Sequence, residues 1–192
     1  MKKHSVAVFA SGNGTNAINL IQSFQANPEI SIDLVLCNKS DAPVVEKSKA
    51  LGVEVLIFSN EAFESGLTVL QELDYRGIEW IVLAGFLRKI PLNIIRGYQD
   101  HIINIHPSLL PDFGGKGMYG MHVHRAVVDA KAQKSGISIH LVNEEFDKGR
   151  ILAQFETAIS SNDTPEQVAT KIHTLEQLHF PAIVAQTILN SK

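Results

Sequence analysis

Asn104-Ile105-His106-Pro107 holds the two side chains best placed by type and spacing to do chemistry in this chain. Ile102 and Ile103 lead into it as the start of a buried strand. Side chains alternate faces along a strand, so Asn104 and His106 should project together while Ile103 and Ile105 point the other way. Pro107 cannot donate to a ladder and should end the strand. A carboxamide donor beside an imidazole at a strand end suits oxyanion stabilisation coupled to proton transfer. An enzyme is therefore the leading reading.

The elements that must position this pair alternate in type. Residues 6–10, 32–37, 53–58 and 78–84 read as short apolar strands, and 15–25, 42–51 and 61–75 as helices. Such alternation implies parallel strands joined by helical crossovers, and the near-continuous apolar runs imply a sheet covered on both faces. Thr15 and Asp41 are the candidate caps of the first two helices, with Pro43 just inside the second. Beyond Ser108-Leu109-Leu110-Pro111, the glycines at 114, 115, 117 and 120 make residues 112–120 a mobile loop. A short helix over 123–130 follows, then strands over 137–142 and 151–157 joined by a polar stretch. Thr164-Pro165-Glu166-Gln167 is a capping box with proline at the first helical position. The helix it opens should carry Val168, Ile172, Leu175 and His179 on one face with Glu176 at its edge, and Pro181 should kink or end it. The expected fold is α/β and Rossmann-like: three layers, with a mostly parallel central sheet of about seven strands and helices on both faces.

At 192 residues the chain suits one domain, 1–192, with a substantial core. Its apolar share of 45%, charged share of 19% and net charge of -3 are those of an ordinary globular protein. No dense basic run is present, which disfavours nucleic-acid and membrane-surface partners. Cys37 is the only cysteine, so no internal disulfide can form, and its apolar setting implies a buried thiol. Met1-Lys2-Lys3-His4 precedes an apolar run too short for a signal peptide, and nothing approaches a membrane span, so a cytoplasmic location is expected.

Gly12-Asn13-Gly14-Thr15-Asn16-Ala17, between a strand and a helix, fits the alanine form of the dinucleotide fingerprint. Small residues let the backbone approach a phosphate, and the helix N-terminus supplies free N–H groups. The ribose-binding carboxylate of that fingerprint belongs near the end of the second strand. That strand ends in Cys37-Asn38-Lys39, with Asp33 too early and Asp41 too late. The Thr15 hydroxyl and Asn16 amide suit a terminal phosphomonoester better than a pyrophosphate. An NADP-linked oxidoreductase is thus the remote alternative. It also gives no reason for Asn104, His106 and Asp147, the last of which lies in the polar loop 143–150. His122-x-His124 lacks cysteine partners and a clear third ligand, so no metal is expected; His124 instead belongs near a site entrance or simply starts a helix.

Taken in order, Ser11-Gly12-Asn13-Gly14-Thr15-Asn16, Ala84-Gly85-Phe86-Leu87-Arg88, Asn104-Ile105-His106-Pro107-Ser108-Leu109-Leu110-Pro111 and Asp147-x-Gly149 resemble the glycinamide ribonucleotide formyltransferases of purine synthesis. The resemblance runs from the first strand to the last helix. It implies transfer of a formyl group from the co-substrate 10-formyltetrahydrofolate to the amine of glycinamide ribonucleotide, with no metal. It implies a phosphate-binding half over about 1–100 and a catalytic and folate-binding half over about 101–192. Asn104, His106 and Asp147 would be catalytic, with the two donors worth on the order of 3 kcal/mol each to the barrier. Gly14, Thr15 and Asn16 would hold the substrate phosphate and Glu176 the glycinamide. Leu87, Arg88, Lys89, Ile90, Val142 and Asn143 would enclose the folate, supported by His140 and Pro107. The family's partners are these small molecules, and a monomer or weak homodimer is expected.

The chain also departs from the family's pattern. The segment 61–73 is short and lacks an arginine that reaches the folate in many relatives, so that contact is missing or supplied otherwise. The loop 113–120 is longer than the common form, and a lid closing over substrate is expected there. A formyltetrahydrofolate hydrolase uses the same three catalytic residues with water as nucleophile and normally carries a preceding regulatory domain; this chain begins directly at its first strand. Methionyl-tRNA formyltransferase is disfavoured by the missing RNA-binding domain.

Overall fold

The computed structural model describes residues 3–191; the basic start at Met1 and Lys2 lies outside the described residues. Seven strands form one sheet in the order β3-β2-β1-β4-β5-β6-β7. They are β1 (His4–Phe9), β2 (Ile30–Cys37), β3 (Glu54–Ile57), β4 (Trp80–Leu83), β5 (Ile102–His106), β6 (Lys134–Leu141) and β7 (Ile151–Ala158). The first five run parallel, whereas β6 is antiparallel to both β5 and β7. The expected mostly parallel α/β sheet is thus present, with an antiparallel edge added.

Among the described residues seven helices cover it: α1 (Thr15–Phe24), α2 (Pro43–Ala50), α3 (Asn60–Ser65), α4 (Leu67–Tyr75), α5 (Leu92–Gly97), α6 (Met121–Asp129) and α7 (Pro165–Asn190). Alternation along the strands sorts the core into two layers. Val6, Val8, Val35 and Ile103 pack against α1, α2, α6 and α7, whereas Ala7, Phe9, Leu34 and Ile102 pack against α3, α4 and α5. Ile103 and Ile105 share the first layer, so Asn104 and His106 emerge on the other face, as the alternation requires. Phe9, Phe58, Phe63 and Phe86 form one aromatic cluster, with the Phe63 and Phe86 rings 5.1 Å apart and edge-to-face. That cluster seats the turn after β4.

Several local expectations are overturned for identifiable reasons. The single helix expected over 61–75 is two, because the chain turns left-handed at Gly66 (φ 66°) and the Asn93 side chain fills the space a Cβ would need. Thr15 does not cap α1: the cap position is Gly14, and Thr15 is already helical. Asp41 does not cap α2 either; Ala42 holds that position without a side-chain bond. Helix α5 carries no strong periodic signal in its six residues and was not expected.

Helix α7 opens with the expected Thr164–Gln167 capping box, then runs unbroken through Pro181. Proline removes the donor owed to the carbonyl four residues earlier. That carbonyl, on Gln177, instead accepts from the Asn19 amide of α1 at 2.9 Å. The buried stripe of α7 is Val168, Ile172, Glu176, Phe180, Val184 and Ile188, so Glu176 lies in the stripe rather than at its edge.

Phe63 is fully buried at the centre of the aromatic cluster. Phe63→Ala should lower the unfolding free energy by about 3–5 kcal/mol in urea titration at constant m-value. A loss below about 1 kcal/mol would mean that the cluster does not support the turn after β4.

Candidate active site

Strands β1 and β4 are neighbours whose following connections leave in opposite directions, toward β2 and β5. Ligands of open α/β sheets bind at such a switch point, at the carboxyl ends of the strands. A cleft of about 370 Å³ opens there, with Gly12 to Asn16 at one end and Asn104, His106 and Asp147 among its walls.

The glycine loop is built from backbone and held by α2. Gly14 is left-handed at φ 73°, and a Cβ on it would lie 2.3 Å from the Val44 side chain. Val44 N–H donates to Gly12 O at 3.2 Å, and Lys47 Nζ donates to Asn13 O at 3.0 Å. The first intrahelical bond of α1 is Ile18 N–H to Gly14 O at 2.8 Å, so the preceding amides of the first turn have no helical acceptor and suit an anion. The Asn16 side chain is turned elsewhere. Its amide donates to Glu176 Oε2 at 2.9 Å, and its oxygen accepts from Gln177 Nε2 at 2.8 Å. The Asn16 side chain is thus tied to α7, while its backbone amide has no helical acceptor. Burial raises the Glu176 carboxyl above the ordinary glutamate range, against the opposing pull of the Asn16 bond and His173.

At the other end, His106 is buried at the close of β5. Its Nε2 lies 2.9 Å from Phe113 O, a pure acceptor, so Nε2 carries a proton. Its Nδ1 faces Asp147 Oδ2 at 3.6 Å. Asp147 Oδ2 also accepts from Gly115 N–H at 2.8 Å, so both residues touch the glycine-rich loop 112–120. Asp147 sits at φ 54° in the β6–β7 connection, and Gly149 explains its motif partner: a Cβ there would fall 1.7 Å from Leu141 O. Asn104 Nδ2 lies 3.0 Å from His140 Nε2. Burial holds the His140 imidazole below the ordinary histidine value; the Leu141 carbonyl and Asp147 oppose this, and His106 adds to it.

The Ser108-Leu109-Leu110-Pro111 run is scaffold. Ser108 Oγ donates to Asp112 O at 2.6 Å, Leu110 N–H donates to Ser138 Oγ at 2.8 Å, and Gln154 Nε2 donates to Leu110 O at 2.9 Å. Pro107 lines the cleft beside His106. Leu87, Arg88, Lys89, Ile90, Val142 and Asn143 form one further wall. There Leu87 N–H donates to Ser11 Oγ at 3.3 Å, tying this wall to the glycine loop. Arg88 donates to Glu64 at 3.0 Å, Glu64 lying in the segment that lacks the arginine. Lys89 Nζ stands 5.2 Å over the Phe146 ring, bridging the turn after β4 and the β6–β7 connection.

His124 lies at the cleft and near the start of α6, as the sequence implied, but its burial was not foreseen, and sequence reasoning did not single out Ser138 or Gln154. His124 is only 3% exposed and forms part of the cleft wall, with no partner for Nδ1. Burial, then His173 and His106, push its pKa down to about 4. Its burial comes from α6 packing against α7, which no local pattern announces. Among the described residues no group of three His, Cys, Asp or Glu side chains is placed to hold a metal, and no helix is long and apolar enough to cross a membrane.

The sheet order and the cleft at its switch point define a class, the open α/β folds that take ligands at the carboxyl ends of parallel strands. Within that class the chain belongs to the formyl transferase family, whose model matches residues 4–184. It is 34% identical over 198 residues to the phosphoribosylglycinamide formyltransferase of Bacillus subtilis (strain 168), covering 100% of this chain and 98% of that protein. It is 38% identical to the chloroplastic phosphoribosylglycinamide formyltransferase of Arabidopsis thaliana over 96% of this chain, and spans 65% of that relative's length. It spans 61% of the length of the corresponding protein of Vigna unguiculata. The crystal structure of the Bacillus halodurans phosphoribosylglycinamide formyltransferase superposes with a TM-score of 0.88 at 34% identity, covering 98% of this chain and 97% of that one.

Gly14→Ala should destabilise the protein by at least about 1 kcal/mol through left-handed strain alone, and should weaken retention of a phosphorylated substrate. Urea titration together with the KM for that substrate checks both. An unchanged midpoint and KM would show that Val44 yields without cost.

Proposed function

We propose that this protein transfers the formyl group of 10-formyltetrahydrofolate to the primary amine of glycinamide ribonucleotide, a step of purine synthesis. One observation carries the reading. Asn104, His106 and Asp147 meet at one end of a cleft whose other end is the amide-lined turn at Gly14 and Thr15. The cleft thus pairs an anion site with a proton-transfer site, as an acceptor bearing both a phosphate and an amine requires.

In this reading the amide groups of Gly14, Thr15 and Asn16 take the phosphate, and buried Glu176 takes the glycinamide. Asn16 acts on Glu176 through its side chain and offers its backbone amide to the phosphate. The folate lies along Leu87, Arg88, Lys89, Ile90, Val142 and Asn143, with Arg88 bonded to Glu64 of the segment that lacks the arginine. The amine attacks the formyl carbon, a C–N bond forms, and the carbonyl oxygen gains negative charge. Asn104 and His106 donate to that oxygen, the substrate oxygen displacing Phe113 O from His106 Nε2. Collapse breaks the bond to N10, with one proton leaving the amine and one reaching N10. Asp147 orients His106 and supplies the negative charge against which an imidazolium is held during that relay. The loop 112–120 rests on both residues in the described structure and must move off His106 for this contact to form.

The test mixes the full chain with 10-formyltetrahydrofolate and glycinamide ribonucleotide and follows tetrahydrofolate release. Release should require the ribonucleotide; release at the same rate without it would sink the transferase reading in favour of hydrolysis. His106→Ala and Asp147→Asn should each lower kcat by at least about a hundredfold, with folding retained by circular dichroism. Near-normal turnover in either variant would overturn the assigned roles. Glu176→Gln should act mainly on the KM for the ribonucleotide and leave the folate KM within about threefold; a selective folate effect would reassign it.

A further inference from the structure

Strand β6 lies antiparallel to β5 with Asn104 directly opposite His140 and His106 opposite Ser138. Residues facing one another in an antiparallel pair present side chains on the same face, close enough to bond. His140 Nδ1 lies 2.8 Å from Leu141 O. A carbonyl oxygen can only accept, so Nδ1 bears the proton, and the neutral ring has a bare Nε2. That nitrogen can only accept in turn, and Asn104 Nδ2 stands 3.0 Å from it. The carboxamide is therefore held in one sense, with its nitrogen toward β6. This is its one side-chain hydrogen bond among the described residues, which leaves its second N–H and Oδ1 for the cleft.

We propose that His140 is a positioning residue that aims the Asn104 carboxamide at the reacting carbonyl, and that it does so only as a neutral imidazole with its proton on Nδ1. The inference rests on the role given to Asn104 above and adds a requirement that the role does not contain. A doubly protonated His140 would present an Nε2–H where Asn104 now presents its own, and the two donors would repel. The new donor would find Asp147 Oδ1, 3.7 Å away, and compete with His106 for the same carboxylate. Three groups thus face the ring: Asn104 and His106 from β5, and Asp147 from the β6–β7 connection. His140 is 2% exposed, and burial of that degree disfavours the charged form. Protonation of this one ring would therefore disorient the oxyanion donor and divert the carboxylate that serves the proton relay.

Activity and spectroscopy test this separately. His140→Phe keeps an aromatic ring but removes the acceptor, and kcat should fall on the order of a hundredfold, as expected for a misdirected catalytic group. Both KM values should stay within about threefold. His140→Gln restores an oxygen acceptor and should recover at least about tenfold of that loss. Asn104→Ala combined with His140→Phe should be no slower than Asn104→Ala alone, since His140 acts through Asn104. Multiplicative losses, unchanged kcat in His140→Phe, or KM values that move with kcat would each overturn the proposal. Long-range 1H–15N spectra of histidine-labelled protein should show an Nδ1–H tautomer signal that disappears in His140→Phe, distinct from that of His101, whose Nδ1 also faces a carbonyl; an Nε2–H tautomer for His140 would refute it without reference to turnover. If wild-type protein releases no tetrahydrofolate with the ribonucleotide, the proposed function fails, and the tautomer measurement still decides the His140 lock.

Discussion

Strand β6 reverses direction against β5, and the active end of the molecule follows from that pairing. The register opposes Asn104 to His140 and His106 to Ser138, so one strand supplies reacting groups and its neighbour supplies what holds them. Ser138 Oγ bonds both Ser108 O and Leu110 N–H, which fixes the turn leaving His106. The connection from β6 to β7 runs over residues 142–150. In that connection Asp147 adopts a left-handed backbone, and Gly149 passes against Leu141 O.

The Asp147 carboxylate is the point where these constraints meet. One oxygen faces His106 and accepts from Gly115 N–H, and the other faces His140. The carboxylate therefore couples His106, the His140 ring bonded to Asn104 and the loop lying over both. The Leu141 carbonyl holds the proton of the neutral His140 ring on Nδ1, which leaves its Nε2 to accept from Asn104.

The opposite end of the cleft uses a different economy. Its anion site consists of backbone amides presented by a strand-to-helix turn, braced by Val44 and Lys47 of α2 and tied through Ser11 to the turn after β4. Side chains that looked available for ligand are spent on this bracing. Asn16 links α1 to Glu176 and Gln177, and Asn19 satisfies the Gln177 carbonyl that Pro181 leaves without its helical donor. Glu176 consequently lies in the buried stripe of α7, where burial holds its carboxyl above the ordinary range.

Much of this was legible from residue order. The alternating apolar runs implied the parallel sheet, because a strand buried on both faces must be apolar throughout. The period-two spacing put Asn104 and His106 on one face, and the glycine loop before α1 implied backbone amides without helical acceptors, because both follow from backbone geometry within a few residues. Features that depend on contacts distant in the chain were not legible. The sense of β6, the opposition of Asn104 and His140, the burial of His124 and the recruitment of Asn16 by α7 join residues 36 to 161 positions apart where hydrogen bonds are made. The break at Gly66 likewise depends on Asn93, in a helix the sequence pattern did not announce. Local sequence determined which groups are present and which way each strand turns them. Only tertiary packing decided what each group faces, because a hydrogen-bond partner is set by sheet register and helix docking rather than by neighbours in the chain.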